Sequence, residues 1–171
     1  LLFSNADLWR HGGFAYGGAL WSLHGLDREG AVIKLMFGGG LYRYTSGFLG
    51  NAEVTGRQFA ATILPGWRFI RGSLTVTVFA GVEYQSHRLS PDDPSAGLRG
   101  EYVGARTGFE LWYEPTSTTM IAADASVTSI GWSYAARFAG GWRAFDLCYI
   151  GPEVQGFAAD SNYQQFRVGL H

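Results

Sequence analysis

Ten charged residues sit at alternate positions inside runs that are otherwise apolar or small. They are Lys34, Arg68, Arg106, Arg137 and Arg167 against Glu83, Glu110, Asp124, Asp146 and Glu153. Their neighbours two positions away are small, as in Gly104–Arg106–Gly108 and Ala135–Arg137–Ala139. Water would not require small neighbours. A narrow, crowded interior would, because each long side chain takes the room its neighbours give up. Buried charges must be paired. Five of each sign is therefore what an ion-paired interior needs, whereas a selective ion pore more often shows one sign in excess. Arg106 and Glu110 lie on one face of one strand, about 13 Å apart at ~3.3 Å per residue, so each is expected to pair across strands. Glu83 and Asp124 are the candidates for Arg106; Arg137 and Arg68 are those for Glu110.

A second stretch with reactive residue types is "SHRLSPDDP", residues 86–94. His87 lies near Ser86, Ser90, Asp92 and Asp93, the residue types of a hydrolase. Adjacency in a loop is not a triad, because the roles need converging side chains. The same stretch reads as a proline-stiffened loop with Asp caps. No phosphate-binding glycine loop is evident: "GGGLYR" (38–43) lies inside a strand pattern, where glycines admit close packing. Cys148 is the single cysteine, so no intramolecular disulfide is possible, and no Cys/His metal spacing occurs. No cofactor is expected.

The elements that must position these residues are strands. The chain has 171 residues, which makes one domain (1–171) the default. Its formal net charge is -1, so no basic excess points to nucleic acid. Charged residues make up 16%, below the ~25% of typical soluble domains. Aromatics make up 16% and there are 25 glycines. No apolar run approaches the ~18 residues of a transmembrane helix. An exported barrel needs a signal peptide and none precedes Leu1, so the numbering is read as that of a mature chain.

Helical periodicity is almost absent. Ten strands are expected at about 2–9, 13–23, 31–44, 55–70, 73–86, 100–113, 117–128, 131–142, 145–155 and 161–171. Turn chemistry separates them: "RHGG", "HGLDREG", "TSGFLGN", "RG", "SPDDPSAG", "EPTS", "SIG" and "AADSN". The breaks tend to alternate in length, with tight turns at 71–72, 114–117 and 142–144 and long ones at 45–54 and 87–99. Short turns on one rim and longer loops on the other are the habit of outer-membrane barrels. An even strand number puts both termini on the short-turn rim.

Alternation assigns the faces. In "YVGARTGFELWYEP" (102–115), Val103, Ala105, Phe109, Leu111 and Tyr113 make an apolar face, and Arg106 and Glu110 lie on the other. Strands with up to six bulky apolar alternates, tilted by ~40°, span roughly the ~25 Å apolar band of a bilayer. The apolar face is therefore expected to meet lipid and the charged face a lumen. Trp67, Tyr113 and Trp142 gather toward the short-turn rim, with Phe69 and Phe145. Tyr84, Trp132 and Tyr134 gather toward the other. Two such girdles mark a barrel's two membrane interfaces. A soluble sandwich or lipocalin-like barrel, with the apolar face as its core, is the alternative. Lipid further demands that every strand be paired, so a closed barrel is expected.

Several phrases resemble the bacterial cellulose biosynthesis protein BcsS family: "GAVIKLMFGGGLYRYTSG" (30–47), "GVEYQSHRLSPDDP" (81–94), "RGEYVGARTGFELWYEP" (99–115) and "CYIGPEVQG" (148–156). The segment 1–12 carries none of them. The resemblance implies an outer-membrane β-barrel of Gram-negative bacteria associated with cellulose or exopolysaccharide production. It brings no catalytic residues with it. The expected function is that of a non-enzymatic accessory at the cell surface, with outer-membrane lipids and proteins of a surface assembly as partners. A narrow pore for ions or small solutes is the first alternative, and a lipid hydrolase at the rim the second.

Overall fold

The structure, a computed structural model, describes residues 1–145, 147–159 and 163–171. It is all-β, with one 3-10 turn, η1 (Ile130–Trp132). The strands are β1 (Leu2–Trp9), β2 (Gly12–Ser22), β3 (Gly30–Ser46), β4 (Ala52–Arg71), β5 (Leu74–Ser90), β6 (Gly100–Thr116), β7 (Thr119–Thr128), β8 (Tyr134–Ala144), β9 (Cys148–Ile150), β10 (Pro152–Ala159) and β11 (Tyr163–Leu170). All are antiparallel neighbours in chain order, except that β9 and β10 both pair with β8. The expected strand at 145–155 is thus divided at Gly151, leaving ten strand positions in the sheet.

Local sequence explains the ladder. β3 to β6 carry 17 to 20 residues each, rich in Val, Ile, Phe, Tyr and Thr, the types that suit a pleated surface. The two residues Gly72–Ser73 join β4 to β5, and Gly72 takes the positive φ (+59°) that such a tight hairpin requires. β5 and β6 are joined through residues 91–99. The alternation of turn lengths is only partial: 10–11 is a tight turn on the long-loop rim, and 23–29 is a longer one on the opposite rim.

The sheet curls into a half-barrel with an inside and an outside. Its outside is apolar and exposed: Phe37 is 63% exposed, Ile63 60%, Val103 73% and Phe138 53%. Its inside holds a small apolar floor where Leu20, Val32, Leu64 and Phe79 pack together, with Leu26 of the 23–29 turn against them. A second cluster, Met120, Ala122 and Ala139 with Tyr149, lies on β7 to β9.

The closed ladder expected from the sequence differs from what is found. Among the described residues, β1 and β11 are the two ends of the sheet's pairing order. Both are eight-residue strands, less than half the length of β4. Side chains span this seam instead: Arg167 on β11 is ion-paired with Asp7 on β1. The Arg167 guanidinium also lies 5.0 Å from the centre of the Trp9 ring and 5.1 Å from that of Phe157. A cation held between two ring faces and a carboxylate is a side-chain latch.

Candidate functional site

Among the described residues, the inward faces of β1, β3, β5 to β8, β10 and β11 carry four groups of ion pairs. Pleating decides which side chains take part, since residues i and i+2 share a face. On β6 exposure alternates strictly from Glu101 to Glu110, with Arg106 and Glu110 turned in and Val103 and Phe109 turned out.

Arg106 donates from Nη1 to Glu83 Oε1 at 2.7 Å and from Nη2 to Ser126 Oγ at 2.8 Å. The register opposes Arg106 to Gly81 and Glu83 to Gly104, so the pair runs diagonally across β5 and β6. Asp124, the other candidate for Arg106, is engaged elsewhere. It lies directly opposite Arg137, whose Nη1 donates to Asp124 Oδ2 at 3.1 Å and whose Nε donates to Glu153 Oε2 at 2.6 Å. Arg106 is opposite Thr128, four residues further along β7.

Glu110 also differs from expectation. Neither Arg137 nor Arg68 is its ion-pair partner; Lys34 of β3 is. Arg137 is already held by two carboxylates, so Glu110 takes a cation from three strands away, across the lumen. The Lys34 ammonium also lies 4.9 Å from the centre of the Phe3 ring and 5.5 Å from that of Phe79. Arg68 faces inward on β4 with its Nε buried and without a hydrogen-bond partner. Asp146 lies outside the described residues. Among the described residues, the inward cations Lys34, Arg68, Arg106, Arg137 and Arg167 thus accompany Asp7, Glu83, Glu110, Asp124 and Glu153, five against five. Asp7 was missed in the sequence because β1 is short. Its only signal is that it shares a face with Asn5 and Trp9.

The aromatics expected at the rims lie on the outer face of the sheet. Trp67, Tyr113, Trp132, Tyr134 and Trp142 are exposed, while Tyr84 is half-buried beside Phe59, ring centres 6.4 Å apart.

The residues of "SHRLSPDDP" do not converge on a reacting centre. His87 is buried, its Nε2 2.8 Å from Gln85 Oε1 and its ring edge-on to Tyr102. Ser86 and Ser90 fall on the opposite face of β5 by alternation. Asp92 accepts from Arg99 at 3.2 Å. Asp93 accepts from the Ser95 hydroxyl at 2.6 Å, the Ser95 N–H at 3.0 Å and the Tyr44 hydroxyl at 3.0 Å. Hydrogen bonds from the hydroxyls of Ser95 and then Ser46 hold the Asp93 carboxyl down at about 2. These contacts tie the 91–99 loop to the end of β3.

Sequence reasoning also missed a cavity of about 460 Å³ on the inner side of the half-barrel. The cavity brings together Trp9, Phe14 and Tyr16 of the first hairpin with Gln58, Gln85 and His87. Gly38 and Gly40 make room for that aromatic wall, since a Cβ at either would collide with the backbone and the Tyr16 or Phe14 side chain. The strand glycines of "GGGLYR" therefore act in packing.

The family model described as "Cellulose biosynthesis protein BcsS" matches residues 1–171. Neither the curated proteins nor the solved structures give a match. With the whole length covered, the chain belongs to the cellulose biosynthesis protein BcsS family.

Proposed function

We propose that this protein is an outer-membrane β-barrel with a plugged interior, a non-enzymatic accessory of a cellulose-type polysaccharide system. The observation that carries the reading is the inversion of its polarity. Bulky apolar side chains such as Phe37, Ile63, Val103 and Phe138 are exposed around the outside, and the ion pairs are inside. Bulky apolar side chains left exposed along strand after strand call for an apolar partner, and lipid is one. The half-barrel of antiparallel strands and the outward Trp and Tyr residues near both rims fit the same reading.

The interior supports a plug rather than a channel. Lys34 and Glu110 meet across the lumen above the floor formed by Leu20, Val32, Leu64 and Phe79. Sheets of about ten strands enclose little more than their own side chains, and wide aqueous channels belong to barrels of roughly 16 strands. An accessory role then follows from having a rim and a surface to offer rather than a conduit. Its protein partners are to be sought by crosslinking in intact outer membranes.

Planar-bilayer recording tests the reading. The purified protein should insert without steady conductance and migrate faster on unheated gels than after boiling. Steady conductance that changes with Lys34→Ala would replace the plug with a narrow pore. A monomer that stays soluble without detergent would remove the membrane altogether.

A further inference from the structure

On the outer face, three neighbouring strands exchange apolar side chains for arginine at the same end. On β3 the outward series through Phe37 and Leu41 is followed by Arg43. On β4, Arg57 precedes Phe59; on β5, Val82 and Tyr84 lead past Ser86 to Arg88. This end is the long-loop rim, beside the turn 47–51 and the loop 91–99. The register sets Arg57 directly opposite Arg88. Residues so opposed hold their Cβ atoms about 4.5–5.5 Å apart, and like charges there repel. Both arginines are exposed, and among the described residues neither has a hydrogen bond, ion pair or ring contact. Glu101, opposite Ser86 on β6, is diagonal to Arg88 and forms no ion pair with it. Arg43 is diagonal to Arg57, and its carboxylate partner, Glu53 at 3.8 Å, is exposed as well.

Two guanidinium groups held side by side without a carboxylate make an anion site. A phosphate suits it best, because each planar fork offers paired N–H donors that match phosphate oxygens. One phosphate between the two forks turns their repulsion into attraction to a shared charge. The surface next to them selects an anion carried on an apolar body. Leu41 stands opposite Arg57 on β3, and Phe59 and Val82 lie toward the middle of the sheet, all three exposed. Beyond Leu41 the outer face is hollowed between Leu8 and Leu41, where Gly13, Ala15 and Gly39 supply little side chain. An acyl chain covers such a hollow; a free phosphate makes no use of it.

We propose that Arg57 and Arg88, with Arg43 beside them, bind the phosphate of an anionic lipid headgroup whose acyl chains lie on Leu41, Phe59 and the adjoining hollow. The inference rests on the membrane reading above, since lipid must reach the outer face.

The test uses the full chain in micelles of a polyoxyethylene detergent, which is uncharged and carries no phosphate. Heat-dependent gel migration checks that it has folded and inserted. Dioleoyl phosphatidic acid, dioleoylglycerol and glycerol phosphate are each titrated in, and bound ligand is counted by native mass spectrometry. Saturable binding of phosphatidic acid is expected, at least about ten-fold tighter than that of dioleoylglycerol or glycerol phosphate. Arg57→Gln and Arg88→Gln should each weaken it about ten-fold, as the loss of one charge-assisted hydrogen bond implies. Arg57→Lys keeps the charge without the fork and should recover only part of the affinity. Arg71→Gln, at the other end of the same face of β4, should leave binding unchanged. Equal binding by the inserted protein and the Arg57→Gln/Arg88→Gln double variant would overturn the inference and leave the membrane reading standing. Dioleoylglycerol binding as well as phosphatidic acid would overturn it too, reducing the face to an apolar surface. So would glycerol phosphate binding as tightly as the lipid, or an equal loss on Arg71→Gln. A chain that folds without detergent and enters no micelle would remove the membrane reading and this inference together.

Discussion

Arg106 on β6 donates to Glu83 on β5 at 2.7 Å, and Glu83 is 1% exposed. The carboxylate is thus buried on the inner face of the half-barrel with this cation as its salt-bridge partner. Removing the cation leaves an uncompensated buried charge, which typically costs about 3–5 kcal/mol. Arg106→Ala is expected to lower unfolding stability by that order. Adding Glu83→Gln should recover part of the loss, because the two changes share one interaction. Denaturant unfolding from lipid vesicles measures both; additive losses would show that the pair is not coupled.

The outward face makes a separate prediction. Phe109 is on the exposed side of β6, and its neighbour Gly108 is on the lumen side. Phe109→Arg would put a charge against hydrocarbon near mid-membrane, a cost of about 2–4 kcal/mol. Folding yield into vesicles should drop. If Arg is tolerated at Phe109, Val103 and Leu111 alike, the outside of this sheet does not meet lipid.

At the seam, Asp7→Ala removes the carboxylate that Arg167 holds across β1 and β11. Both side chains are partly exposed, so the loss should be moderate, about 1–2 kcal/mol. The heat needed to abolish the fast-migrating gel form should fall. Asp7→Glu, which keeps the charge, should restore most of it. Loss in both variants alike would assign the effect to packing against Trp9.

Asp93 sets a pH dependence in the 91–99 loop. Its carboxyl is held at about 2, below the ordinary 3.8, so the native state favours its charged form. The associated stabilisation is complete above the unfolded value and is lost as pH falls through the folded one. The stability difference between the protein and Asp93→Asn should therefore be full above about pH 4, shrink toward pH 2, and vanish below it. A difference unchanged at the acid end would trace to the altered hydrogen-bond geometry of Ser95 and Tyr44 instead.

Much of the architecture is legible along the chain. The expected strand at 31–44 appears as Gly30–Ser46, and that at 55–70 as Ala52–Arg71. Ile33, Leu35, Phe37 and Leu41 are outward and exposed, as their alternation implies. The division at Gly151 escaped notice because a one-residue break leaves the period-2 pattern nearly intact. The network membership of Asp7 escaped because a single acid in a short strand gives alternation little to act on.

By itself, the sequence determined which residues share a face of each strand. That property is local: the pleat sends successive side chains to opposite sides, whatever the rest of the chain does. Only the tertiary structure decided which inward residues meet. Lys34 and Glu110 are 76 residues apart, and Arg167 reaches Asp7 from the far end of the sheet. Thr62 and Glu83 share a cavity wall with Phe14 and Tyr16 of another hairpin. These meetings depend on the register between strands and on how the stagger accumulates as the sheet curls, and no single strand encodes that sum.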